Sequence, residues 1–199
     1  SALLIAAAVF GSFLYQGQIC MSTERLIVDS KVADEFVAKF AARASELQND
    51  DPSKNPQCII GPMIQVASGN RINEMLEDAL SKGAKIVCGG VANGAIMPAT
   101  ILDHVNSSMR IYDEETFGPV TVVVRVQSAD EAITVANDSA YGLSSGVFGR
   151  DVNRALAVAM DLEYGSVHVN GSTVQNEAQA PYGGTKASGI GRDGGDWSF

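Results

Sequence analysis

The residues best able to do chemistry fall into three groups, and the first is a cysteine delivered by a turn. In "FGSFLYQGQIC" (10–20) a run of small and apolar residues stops, and a polar glycine turn presents Cys20. A nucleophilic cysteine needs exposure, access to the thiolate form and donors for developing negative charge. Gly17 supplies pliant backbone, and Gln16 and Gln18 supply amide donors and acceptors. A small hydrophobe entering a core fits the same letters, and for a lone cysteine that is the commoner role. Cys58, in a Pro-rich loop, and Cys88, at the end of an apolar run, keep the structural reading.

The second group is "YDEETFGPV" (112–120), where acidic residues precede an aromatic and Gly-Pro. A carboxylate at Glu115 can accept hydrogen bonds from sugar hydroxyls, and Phe117, two residues on, can pack on a ring. A solvated acidic loop running into a strand has the same composition. The third group, "APYGGTKASGIGR" (180–192), allows close backbone approach and positive φ. It has neither the P-loop order nor a G-x-G-x-x-G opening a helix. The two histidines, His104 and His168, are far apart in sequence. Either one, set against Cys20, would make a thiol hydrolase or acyltransferase, but nothing in the spacing favours that pairing. No His, Cys and carboxylate cluster has metal-ligand spacing.

The elements that must position these residues belong to an ordinary globular chain. Its 199 residues are 46% hydrophobic and 19% charged, enough for one full core. A net charge of −9 argues against nucleic acid or an anionic membrane as the main partner. Three cysteines without a CxxC pair are no disulfide framework, so a reducing, cytoplasmic compartment is expected. The leading "SALLIAAAVFGSFLY" lacks a basic n-region and a cleavage motif, and is too short and alanine-rich to span a membrane. It reads as a buried helix over 2–14.

Further along, "TERLIVD" (23–29) reads as a strand, and "SKVADEFVAKFAARASELQ" (30–48) as an amphipathic helix. Val32, Phe36, Phe40, Ala44 and Leu47 make its apolar face, with Ser30 as cap. A Pro-rich loop (49–62) leads to a helix over 65–82, with Ile72, Met75, Leu76, Ala79 and Leu80 inward and Gly83 as its stop. "AKIVCGG" (84–90) reads as a short buried strand, and "AIMPATILD" (95–103) as an extended segment that Pro98 sends to a sheet edge. "GPVTVVVRV" (118–126) is a β-branched strand. The Ser128–Glu131 capping box then opens a helix. Strand, helix and strand follow at 142–149, 151–163 and 165–171. The Gly-rich segment from 177 onward is a linker or an ordered loop wrapping a site. Strands alternating with helices point to an α/β layer fold with a largely parallel sheet.

In that order and spacing, "FGSFLYQGQIC", "EETFGPV", "NDSAYGLSSGVFGRD" and "PYGGTKASGIGRDGG" resemble the aldehyde dehydrogenase superfamily over essentially the whole chain. "QGQICMSTER" looks most like the bacterial members acting on aromatic aldehydes such as salicylaldehyde, benzaldehyde or vanillin. The resemblance implies an α/β, three-layer fold of the catalytic-domain type over 1–199, with a mostly parallel, twisted sheet. It implies that Cys20 attacks the aldehyde carbon to give a thiohemiacetal. Hydride then leaves to a nicotinamide ring and the resulting thioester is hydrolysed to the acid. Glu115 falls on the ribose-binding glutamate and Phe117 on the aromatic near the nicotinamide. Arg71 lies near a basic position close to the cofactor. The cofactor is expected to be NAD or NADP, with NAD the expected form.

The family's pocket walls correspond here to Ile19, Met21, Val174 and Tyr182, apolar or aromatic residues that favour an apolar or aromatic aldehyde, and Tyr15, beside the cysteine turn, is placed in the substrate pocket to touch a ring-hydroxyl substrate. Tyr15 stands where the family often has Asn. The general-base glutamate of the family sits in an "ELGGK" motif that does not occur in this sequence. The coenzyme-binding domain and a C-terminal assembly strand also fall outside these residues. The chain is therefore expected to be the catalytic domain of a longer enzyme, inactive alone, whose full-length form is a homodimer or homotetramer. CoA-acylating members are the near alternative, since they use the same cysteine but release the thioester to CoA.

Overall fold

A computed structural model describes residues 2–198; Ser1 and Phe199, the two ends of the expected domain, lie outside the described residues. Helix α1 (Ala2–Phe13) runs directly into a 3-10 turn (Leu14–Gly17). Strand β1 (Arg25–Asp29) leads into α2 (Ser30–Ala44). Next come α3 (Val66–Ser81), β2 (Lys85–Cys88), β3 (Thr100–Asp103), the single turn α4 (Arg110–Asp113) and β4 (Val120–Val126). The last part holds α5 (Ala129–Asn137), β5 (Tyr141–Gly142), β6 (Ser144–Val147), α6 (Val152–Met160), β7 (Ser166–Val169) and β8 (Thr185–Lys186).

The main sheet has the order β1-β4-β3-β2. β4 runs parallel to both β1 and β3, and β2 alone is antiparallel. The β-branched run of β4 is central because both its faces are covered. With a side-chain period of two, Val120, Val122 and Val124 meet Ile72, Met75 and Leu76 of α3. Val123 points the other way, into a cluster with Ala8 and Phe13 of α1 and with Phe36 and Phe40 of α2. The Phe40 ring stacks on Phe13 at 6.0 Å and on Phe36 at 5.6 Å. Helices on both faces of a mixed, mostly parallel sheet make the three layers the resemblance implies. Two further pairs, β6 with β7 in parallel and β5 with β8 antiparallel, form small sheets of their own.

Several local expectations are corrected. Asp29, not Ser30, caps α2, accepting from the Lys31 N–H at 2.9 Å. Its inward face is Ala33, Phe36, Val37, Phe40 and Ala44, while Val32 is exposed. The cap is one residue earlier than expected, and a valine at the start of a helix can turn to solvent while its neighbour packs. Leu80 is also exposed, at the last turn of α3. β3 is an interior strand with all four residues buried, and Pro98 precedes it, where no ladder hydrogen bond is required. The edge on that side is β2, half-exposed rather than buried, with Lys85 and Val87 on its outer side. The Ser128 cap is as expected, accepting from Glu131 N–H at 3.1 Å. Among the described residues no helix is long and apolar enough to cross a membrane, and all three cysteines are free.

Candidate active site

The approach to Cys20 is a sequence of unfavourable backbone states. Tyr15, Gln16 and Gly17 have φ of 51°, 57° and 67°, all left-handed. That region suits Gly17 but costs an L side chain, so the surroundings must hold it. They do so by direct bonds. Gln18 N–H closes the turn on Tyr15 O at 3.0 Å, and Gln18 Oε1 accepts from the Ile64 N–H at 3.0 Å. A Cβ on Gly17 would lie 2.0 Å from the carbonyl oxygen of Gly118. The nucleophile turn and the end of the 112–120 segment are thus packed backbone on backbone, which only glycine permits.

Beyond the turn, Cys20 is exposed. Its Sγ lies 3.4 Å from the Tyr182 hydroxyl, within hydrogen-bond reach for sulfur. Burial, and then the hydrogen bond to Cys20, push the Tyr182 phenol up to about 12. It therefore stays protonated near neutral pH and can donate to a thiolate. Tyr182 is fixed by its own backbone pair with Asp193, at 2.7 and 2.9 Å, so the Gly-rich segment is an ordered loop here and not a linker. Across the turn, Thr173 Oγ1 donates to Met21 O at 2.7 Å and meets Thr23 Oγ1 at 2.7 Å. Those bonds tie the loop after β7, and with it Val174, to the residues flanking the nucleophile.

Glu24 is a residue the sequence reading passed over. Its carboxylate accepts from the Thr116 N–H at 2.8 Å and from the Phe117 N–H at 3.0 Å. Arg71, on α3, donates to the carbonyls of Glu115 and Thr116 at 2.9 and 2.6 Å. Burial pushes the Glu24 carboxyl above its ordinary value, although the two N–H donors pull it back; the nearby Glu115 charge adds to the rise. Phe117 sits at φ 47° with its side chain partly exposed, and Glu115 is exposed. Only a single acidic residue four positions past Cys20 could have signalled Glu24 in the sequence, and it looks like any strand-entry carboxylate.

Of the expected site residues, the structure brings Cys20 and Tyr182 into direct contact. Cys20, Ile19, Glu24 and Glu115 all line one cleft of about 1060 Å³. Tyr15 is 66% exposed on the strained turn, with no described hydrogen bond from its hydroxyl. No histidine bonds to Cys20: His104 lies beside Asp103 at 3.6 Å, and His168 Nε2 is buried without a partner. A bound dinucleotide would find here an exposed carboxylate for a sugar diol and a partly exposed ring beside it, which fits its chemistry.

Comparison with known proteins gives one family. The model for "Aldehyde dehydrogenase family" matches residues 2–199. A salicylaldehyde dehydrogenase of Pseudomonas putida is 70% identical over 188 residues, covering 94% of this chain and 39% of that protein. A vanillin dehydrogenase of Pseudomonas fluorescens is 50% identical over 195 residues, covering 98% of this chain and 40% of its own length. The crystal structure of a salicylaldehyde dehydrogenase from Pseudomonas putida G7, complexed with salicylaldehyde, superposes with a TM-score of 0.96 at 67% identity, covering 98% of this chain and 40% of that one. An NADP-dependent glyceraldehyde-3-phosphate dehydrogenase from Bacillus halodurans C-125, complexed with NADP, gives a TM-score of 0.92 at 36% identity over 96% of this chain and 40% of its own. The chain thus spans about 40% of the length of the relatives it matches.

Proposed function

The chain belongs to the aldehyde dehydrogenase family, and we propose that Cys20 is the nucleophile of an enzyme oxidising an aromatic aldehyde to its carboxylic acid with a nicotinamide dinucleotide. The observation that carries this reading is an exposed cysteine on a strained turn, hydrogen-bonded to a phenol and sharing a cleft with Glu115. The 70% identity to a salicylaldehyde dehydrogenase supports the aromatic class.

In this reading the Cys20 thiolate adds to the aldehyde carbon, forming the C–S bond while the carbonyl electrons move to oxygen. Tyr182, protonated at working pH, donates to the sulfur before attack and holds it against the loop wall. The bound dinucleotide supplies the hydride acceptor. Glu115 accepts from its ribose hydroxyls, and the Phe117 ring packs beside it. Water then cleaves the thioester on Cys20 and releases the acid. Glu24 does not serve as the base for that water, because both its oxygens are engaged by backbone N–H groups. A cytoplasmic location agrees with three free cysteines.

The test is a substrate panel on the full-length protein with NAD and with NADP. The expected result is a kcat/KM for salicylaldehyde or benzaldehyde at least about tenfold above that for short aliphatic aldehydes. The free acid is the expected product and NAD the better cofactor. No dinucleotide reduction with any aldehyde, or a strict need for CoA with acyl-CoA as the product, contradicts the proposal.

A further inference from the structure

We propose that Glu24 is a positioning residue: it holds the 115–117 loop in its left-handed shape and locks that loop to the segment that carries Cys20. The inference rests on the reading of Glu115 and Phe117 as cofactor contacts.

Three observations lead to it. The first is hydrogen-bond accounting around the loop. Two N–H groups, of Thr116 and Phe117, go to Glu24, and two carbonyls, of Glu115 and Thr116, go to Arg71. Two oppositely charged side chains from different elements therefore grip one short loop by its backbone. The second is strain. Phe117 at φ 47° is a bulky residue in a region that L side chains rarely adopt, and such a residue persists only where its surroundings over-determine it. The Glu24 bond falls on the N–H of that very residue. The third is the anchoring of Glu24 itself. Its carbonyl accepts from the Val122 N–H at 2.8 Å and from Thr121 Oγ1 at 3.1 Å, so its backbone is part of the sheet at β4.

The consequence is a fixed spacing. Cys20 and Glu24 lie on one stretch of chain, and Glu24 sets where Glu115 and Phe117 stand relative to it. The backbone grip leaves the Glu115 carboxylate and the Phe117 ring outward and available. A charged carboxylate is an expensive acceptor to bury. It is retained here because it takes both adjacent N–H groups with charge-assisted strength, Oε1 accepting from Phe117 at 3.0 Å and from Thr116 at 3.1 Å, and Oε2 from Thr116 at 2.8 Å. An amide at this position would keep one acceptor oxygen but put its NH₂ where Oε2 now takes the Thr116 N–H at 2.8 Å, setting donor against donor.

The experiment uses the full-length protein with Glu24→Gln, Glu24→Asp and Glu115→Ala variants. Four quantities are measured: NAD dissociation constants by calorimetry without aldehyde, KM for NAD and for aldehyde, the rate of Cys20 alkylation by iodoacetamide, and the melting temperature. Glu24→Gln is expected to weaken NAD binding and raise KM for NAD by about tenfold or more. The aldehyde KM and the alkylation rate stay near wild type, and Glu24→Asp recovers part of the loss. An unchanged NAD dissociation constant in Glu24→Gln, with Glu115→Ala weakened, overturns the positioning role and leaves the function standing. If Glu115→Ala itself binds NAD like wild type, the reading of Glu115 fails and the proposal fails with it. A parallel collapse of melting temperature and thiol reactivity in both Glu24 variants also contradicts it, marking Glu24 as a residue of the fold alone.

Discussion

At the scale of single residues, the sulfur of Cys20 has one polar neighbour that matters, the Tyr182 hydroxyl at 3.4 Å. Because burial and the Cys20 contact push that phenol up to about 12, it remains a donor across the working pH range. Tyr182→Phe removes the donor and leaves the ring. A neutral hydrogen bond is worth about 1 kcal/mol net, which corresponds to roughly fivefold in a rate. The variant is therefore expected to slow iodoacetamide alkylation of Cys20 at pH 7 by roughly two- to fivefold; an equal or faster rate contradicts the role. The sequence placed both residues in the site, but only as members of a recognised pattern. Their contact spans 162 positions of chain, and no local spacing rule reaches that far. Glu24 was illegible for a related reason: its partners are backbone N–H groups, which every residue has.

At the scale of elements, the site is a junction where three loops are pinned to each other. Gly17 meets Gly118 backbone to backbone, and Thr173 bridges Met21 and Thr23. Gly17→Ala is expected to cost about 2–4 kcal/mol, combining a left-handed φ with a Cβ placed 2.0 Å from the Gly118 oxygen. Urea unfolding measures the loss, and a change under about 0.5 kcal/mol would mean the two loops are free to separate. The elements themselves were largely readable. The β4 run, the α2 and α3 periodicities and the Ser128 capping box all express local physics that the fold keeps. Edge and interior were not readable. β3 became interior because β2 pairs antiparallel beside it, a long-range pairing that Pro98 does not reveal.

At the scale of the molecule, the chain covers about 40% of the length of its relatives. Residues of β1 and β6 both line the large cleft, and each of these strands pairs with a single neighbour among the described residues. The sequence contains no "ELGGK" motif, and the carboxylate closest to Cys20 along the chain is bound to backbone. The 199 residues purified alone are therefore expected to show no aldehyde-dependent NADH formation, and robust steady-state turnover contradicts that expectation. The layered fold was legible as a whole, because alternating strands and helices leave few ways to cover a parallel sheet on both sides. The cleft between its parts was not, since it depends on which strand edges remain open. The most direct test of the whole account is to trap the covalent intermediate. Full-length protein is mixed with NAD and an aromatic aldehyde, quenched in acid within the first turnover, and mapped by peptide mass spectrometry. The account predicts an acyl group on the peptide bearing Cys20, absent along with activity in Cys20→Ala; an adduct elsewhere, or a Cys20→Ala variant that still turns over, contradicts it.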